Sequence, residues 1–306
     1  MAVIALKVDV DTFRGTREGA PRLADLLERL DARATFLFSL GPDHTGRAIK
    51  RVFRRGFLGK VKRTSVVEHY GLRTLLYGVL LPGPHIGRRC RSFMQDIGRR
   101  GFEAGVHTWD HIRWQDGVSR ASEQWTRREL ELATGEFTAI FARAPQVHGA
   151  AGWQMNRHVP ALEQQLGFRY ASDTRGTGPF LPRVDGGVTP VPQLPTTLPT
   201  FDELIGREDL GGADPVEHLL ALTERAPEND QVFTLHAELE GGAYLESFAR
   251  LLRAWKARGA RLTDLATYAG RLDFSSLPRC SIVSGTVAGR SGTLAVQSQG
   301  SRPGPQ

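Results

Sequence analysis

A chain of 306 residues with 40% hydrophobic and 24% charged residues has an ordinary globular composition, long enough for one large core or two smaller ones. No apolar run approaches the roughly 18 to 20 residues that span a bilayer as a helix, and two isolated cysteines, Cys90 and Cys280, fit a reducing compartment better than a disulfide framework. The net charge of +7 and pI near 9.8 call for an acidic partner, which leaves nucleic acid, a phosphate-bearing substrate or an anionic membrane surface.

The opening residues lack the charged start, long apolar centre and cleavage site of a signal peptide, so residues 3–8 read as a strand buried on both faces. This strand runs directly into Asp9 and Asp11. Ala20-Pro21 then opens a helix in which Leu23, Leu26, Leu27 and Leu30 recur at helical spacing, and residues 34–38 form the next strand. That is a β-α-β unit, which predicts a parallel sheet with right-handed crossovers. The alternation resumes with helical patterns at 88–100, 119–141, 153–166, 215–226 and 244–258. Each precedes an apolar run, at 103–107, 146–150, 168–172, 231–235 and 261–262. Pro160 is expected to interrupt the third of these helices. Repeated αβ units favour a closed or nearly closed barrel, and no Gly-rich nucleotide fingerprint follows the first strand to support an open sheet.

Two segments stand outside the alternation. Residues 44–87 carry Arg47, Lys50, Arg51, Arg54, Arg55, Lys60, Lys62 and Arg63 among aliphatic and aromatic residues, followed by the apolar stretch 72–81. This insertion reads either as a segment lying in a membrane interface or as a helical hairpin packed on the barrel with a solvated basic face. Residues 275–306, rich in Ser, Gly and Pro without periodicity, are expected to be a disordered tail, leaving 1–274 as the barrel.

The chemistry-bearing residues fall at strand ends. Asp9, Asp11, His107, Asp173 and His236 all lie at or just beyond the C-terminal ends of predicted strands, where barrel enzymes assemble their sites. His107 and His111 stand four residues apart in His-Thr-Trp-Asp-His, a spacing that lets two imidazoles converge on one point. With Asp11 they form a one-carboxylate, two-imidazole set that suits a divalent ion and leaves positions open for water and substrate. Asp9 lies on the same strand face as Asp11 and can serve as general base, while His236 can protonate a leaving amine if its strand neighbours the first.

The paired aspartates, the H-S/T-x-x-H motif at 107–111 and Leu235-His236 resemble the NodB-type polysaccharide deacetylases, metal-dependent amide hydrolases on a distorted (β/α)7 barrel. The stretches 9–19, 150–153, 198–203 and 236–241 are similar, within that family, to the deformylases that release formate from undecaprenyl phosphate-linked 4-deoxy-4-formamido-L-arabinose, a lipid used to modify lipid A in polymyxin resistance. The resemblance implies one divalent ion (Zn, Mn, Co or Fe) on Asp11, His107 and His111, with Asp9 as base and His236 as acid. It also implies an enzyme attached peripherally to the cytoplasmic face of a Gram-negative inner membrane, which would give the basic insertion an anionic surface to bind. Asp173, Arg175, Glu238, Glu240 and Trp153 are candidates for substrate contact, although Glu238 and Glu240 are equally suited to capping a turn. One departure stands out: the arginine that steadies the base in these deacetylases has no counterpart in residues 147–153, and Arg175 is the nearest replacement. Two other readings remain, an N-acetyl sugar deacetylase of the same fold and a basic nucleic-acid-binding protein with a structural metal. The absent signal peptide weighs against the first. The clustering of basic residues in one apolar insertion weighs against the second, so no nucleic acid is expected.

Overall fold

The computed structural model of the protein describes residues 2–48, 74–185 and 187–298. Its centre is β1 (Val3–Val10), in which every residue is buried. Parallel to β1 along one edge runs β8 (Gln231–His236), in a register that sets Asp9 opposite His236. The other edge of β1 is divided between β9 (Arg261–Thr263), beside Val3 to Ala5, and β2 (Thr35–Ser39), beside Lys7 to Val10. From β2 the sheet continues through β3 (Glu103–Thr108), β4 (Val147–His148) and β5 (Tyr170–Ala171), all parallel. This is a curled seven-stranded sheet, so the nearly closed barrel expected from the αβ alternation forms, in the distorted shape that the resemblance implies. Closure between β5 and β8 is irregular. Leu194 N–H donates to Ala171 O at 2.7 Å and Thr197 N–H to Val232 O at 3.1 Å, so one extended stretch bridges the two edges.

The apolar spacing in the sequence explains the helical layer. α1 (Ala20–Arg29) turns Leu23, Leu26 and Leu27 onto the sheet. The helix expected over 153–166 is shorter than its pattern, because Gly152 and Trp153 take positive φ and the helix begins only at Val159. Pro160 lies in its first turn, where the missing N–H costs nothing, so it starts this helix instead of interrupting it.

Of the expected disordered tail, residues 299–306 lie outside the described residues, and the described part, 275–298, is a correction. β10 (Arg279–Gly285) and β11 (Leu294–Gln297) form an antiparallel pair, and β10 continues in parallel onto β6 (Leu181–Val184), which pairs with β7 (Gly187–Val188). Arg175 N–H donates to Ala295 O and Gln297 N–H to Arg175 O, tying this hairpin to the barrel at 2.9 and 2.8 Å. A short alternation that buries Cys280, Leu294 and Ala295 is enough to order residues rich in Ser and Gly once a free strand edge is available. Of the insertion, residues 49–73 lie outside the described residues. Its ends are a Pro42–His85 bridge and a turn over 77–81 that exposes Val79 and Leu80. Among the described residues no helix is long and apolar enough to cross a membrane.

Candidate active site

His107 is placed by β3 and His111 by the first turn of the following helix (His111–Gly117), with Asp110 as its N-cap. Asp110 uses one oxygen to accept from Arg113 N–H at 3.1 Å and the other to meet His44 Nδ1 at 2.6 Å, which fixes where the helix starts. The ligand atoms of Asp11, His107 and His111 all lie within 4.8 Å of one another. His107 Nδ1 is 2.6 Å from Gly149 O, a bond in which the ring must donate, which leaves Nε2 to face Asp11 Oδ1 at 3.2 Å. Two acceptors at that distance repel unless a proton or cation lies between them. His111 Nε2 stands 3.4 Å from the other oxygen of Asp11. Burial pushes His111 down to about 4, so its ring is neutral at pH 7. Burial works the other way on Asp11, yet His111, His107 and His236 hold that carboxyl well below the usual range. A carboxylate and two neutral imidazoles are the protonation states a divalent ion needs, so these residues fit one.

Asp9 lies opposite His236 across the β1/β8 ladder. The group that holds it is Lys7, two residues earlier on the same strand face. Its ammonium is fully buried, 3.5 Å from Asp9 Oδ2 and 2.8 Å from Ser172 O, above the Trp153 ring. Asp9 Oδ1 and Asp11 Oδ1 are buried without a hydrogen-bond partner, and both belong to this cluster. Buried polar atoms left in this way mark a place built to receive a ligand. Burial lowers the basicity of His236, but Asp202, Asp11 and Glu240 together push it up to about 9.

The remaining candidates divide. Glu238 accepts from Asp11 N–H, Thr12 N–H and the Thr12 hydroxyl at 2.7 to 3.1 Å. It therefore shapes the loop that presents Asp11. Burial and Asp11 raise it to about 8, which keeps a third carboxylate charge off the site near pH 7. The close approach needs Gly15, where an added Cβ would meet Glu238 Oε1 at 1.9 Å. Glu240 accepts from His236 N–H at 2.8 Å and is buried, so it caps the end of β8. Neither glutamate has the exposure to read a sugar. Asp173 is also corrected: it is fully buried against His148 and Gln193, and accepts from Ala150 N–H at 2.7 Å. Burial opposes the charge on His148, yet Asp173 and Glu163 push the ring up to about 10, making a buried ion pair behind the site. Arg175 does not touch Asp9. Its guanidinium pairs with Glu203 and stacks on Trp153, which is itself buried and donates Nε1–H to Thr196.

The polysaccharide deacetylase family profile matches residues 2–171, more than half of the chain. The chain belongs to the polysaccharide deacetylase family. Within it, a protein of Shewanella sediminis named "Probable 4-deoxy-4-formamido-L-arabinose-phosphoundecaprenol deformylase ArnD" is 32% identical over 96% of this chain and 94% of its own length. A protein of the same name from Wigglesworthia glossinidia brevipalpis is 31% identical over 92% and 98%. Among solved structures, a polysaccharide deacetylase-like protein from Mycobacterium smegmatis aligns at a TM-score of 0.60 with 13% identity, covering 94% of this chain and 96% of its own. The Xyl-CE4 domain of a multidomain xylanase from the hindgut metagenome of Trinervitermes trinervoides gives 0.52 with 12% identity over 92% and 97%. At such identities the structures speak for the fold alone.

For this deacetylase-family chain the missing arginine has a structural answer. The stretch that lacks it supplies the Gly149 carbonyl to His107, and the cation beside Asp9 comes from β1 itself. Lys7 was legible as a charge inside an otherwise apolar, doubly buried strand, a placement that requires a buried partner.

Proposed function

We propose that this protein is a metal-dependent deformylase that hydrolyses the formamide of undecaprenyl phosphate-linked 4-deoxy-4-formamido-L-arabinose, releasing formate and the 4-amino sugar lipid. The observation that carries the reading is the intact constellation of Asp9, Asp11, His107, His111 and His236 at one end of the sheet, in a chain that matches relatives of that name over nearly its whole length. Asp11, His107 and His111 would hold the ion. When bound, the ion polarises the formyl carbonyl and brings water toward an effective pKa of about 7.

Asp9, held by Lys7, takes the proton of the attacking water as the new C–O bond forms at the formyl carbon. His236, one strand away, gives its proton to the sugar nitrogen as the C–N bond breaks. Lys7, anchored on Ser172 O, fixes the direction of the Asp9 carboxylate throughout. Trp153 and Arg175 line the region behind His236, and Asp173 supports the strand ends without reaching substrate.

The basic insertion and the exposed apolar turn at Val79 and Leu80 support peripheral docking on an anionic membrane, where a lipid-linked substrate resides. Mass spectrometry of the products tests the chemistry: formate from the formamido-arabinose lipid is the expected result, and acetate from an N-acetylated sugar in its place would establish the deacetylase reading. Deletion of residues 47–81 is expected to release the protein from vesicles containing anionic lipid. Continued sedimentation would end the docking proposal.

A further inference from the structure

We infer that Arg290, carried by the turn between β10 and β11, is a positioning residue for His236 that acts through Asp202, which makes the C-terminal hairpin a working part of the active site. The inference rests on the reading of His236 as proton donor. Arg290 Nη2 lies 2.9 Å from Asp202 Oδ2, its Nε donates to Glu203 Oε1 at 3.0 Å, and its guanidinium stacks 4.7 Å above Trp153. The other oxygen of Asp202 faces His236 Nδ1 at 3.8 Å, and that ring stands edge-on to Trp153 with centroids 6.3 Å apart. Trp153 thus stacks on Arg290 and stands perpendicular to His236, and Asp202 joins the two polar ends.

At 3.8 Å the His236–Asp202 contact is longer than a hydrogen bond, so its value depends on where the carboxylate is held. Asp202 is 37% exposed and comes from a short helical turn (Phe201–Leu204), so it needs an anchor to stay in front of the imidazole. A planar guanidinium hydrogen-bonded through Nε to Glu203 and ion-paired through Nη2 with Asp202 supplies that anchor. A carboxylate at Nδ1 favours the proton there and presents Nε2 to the reacting centre. The hairpin is shaped for this approach: Gly289 has φ +83, and a Cβ there would lie 2.1 Å from Glu203 O. Glu203 is also gripped by Arg175, so the whole acidic turn is pinned between two arginines.

The test is a double-mutant cycle on the metal-loaded full chain, measuring formate release for wild type, Arg290→Ala, Asp202→Asn and the pair. Arg290→Ala is expected to lower kcat by about tenfold with KM within about threefold and with unchanged metal content. The double variant should be no slower than Asp202→Asn alone, since both changes break one chain of contacts. Arg290→Lys, or guanidinium ion added to Arg290→Ala, should recover part of the rate, which a role confined to holding the hairpin would not permit. Should Arg290→Ala fail to fold, Arg290→Gln, which keeps a donor for Glu203, takes its place in the cycle. Multiplicative effects in the cycle, or a raised KM with kcat intact, would overturn the inference. If the wild type releases acetate from an N-acetylated sugar and no formate, the deformylase reading fails and the same cycle on that amide decides the role of Arg290. Hydrolysis of neither amide overturns both.

Discussion

Replacing Lys7 with methionine keeps the length of the side chain in β1 and removes its charge. The ammonium is fully buried and stands 3.5 Å from Asp9 Oδ2, so at an effective dielectric near 20 the pair attracts by about 5 kcal/mol. Desolvation offsets most of that in the wild type. The variant does not recover it, because Asp9 then remains buried without its partner, a loss of about 3 to 5 kcal/mol. Ser172 O also loses its donor, worth about 1 to 3 kcal/mol where no water reaches. With an unfolding entropy of about 2.1 cal/mol/K per residue, a chain of 306 residues shifts by about 1.6 °C per kcal/mol, so the melting temperature should fall by roughly 10 °C. Turnover should fall further than stability predicts, since a misdirected base forfeits much of the 10²- to 10⁴-fold that general base catalysis supplies, and a loss of about 100-fold in kcat is expected. Formate release, bound metal and thermal unfolding measured on one preparation separate these effects. Lys7→Met with full metal occupancy and kcat within about threefold of wild type would refute the assignment of Lys7 as the holder of the base.

Asp9→Ala should abolish turnover with metal still bound, whereas His107→Ala should lose the metal, and elemental analysis beside the activity assay distinguishes them; deformylase activity in Asp9→Ala would sink the choice of base. As proton donor His236 is loaded below its own pKa, so kcat should decline as pH rises through it. Asp11 contributes to the value near 9, and a cation on Asp11 removes that share. The alkaline limb of the pH–rate profile is therefore expected between 6.5 and 9, and a limb below 6 would refute His236 as the acid. His148 is raised in the folded state from 6.5 to about 10, so its pairing with Asp173 stabilises fully below 6.5 and is lost as pH rises through 10. Melting temperatures should fall between pH 7 and 10 more steeply for wild type than for His148→Gln, and equal slopes would contradict the ion pair.

The sequence made the sheet and the first layer of the site legible for one reason: each signal was local. Buried strands ending in Asp9 and Asp11, the His107/His111 spacing and His236 at a strand end are patterns within a few residues, and β1 and β8 lie side by side in the register that brings the ends together. The groups that orient them are not local. His148, Glu163 and Asp173 come from β4, the helix Val159–Gln165 and the end of β5, and no spacing links them. Arg175 follows Asp173 closely enough to look like a substitute for the missing arginine, but its backbone pairs with the hairpin and its side chain turns to Glu203. The hairpin was hidden because Ser and Gly dominate its composition, and only pairing with a strand nearly a hundred residues earlier orders it.

Drawing the cation for Asp9 from β1 has a structural consequence of its own. Lys7 and Asp9 share one strand face, so the base and its counter-charge keep their relation whenever β1 keeps its register with β8. An arginine on the 147–153 loop would instead tie the base to loop conformation. With that duty removed, the same loop presents Gly149 O to His107 and Trp153 to both His236 and Arg290. Lys7 in turn bonds Ser172 O beyond β5, the residue next to Asp173. Asp9, His107 and His236 are thus braced by groups that lie close to one another, and a change at Lys7, Asp173 or Arg290 is expected to register at more than one of them.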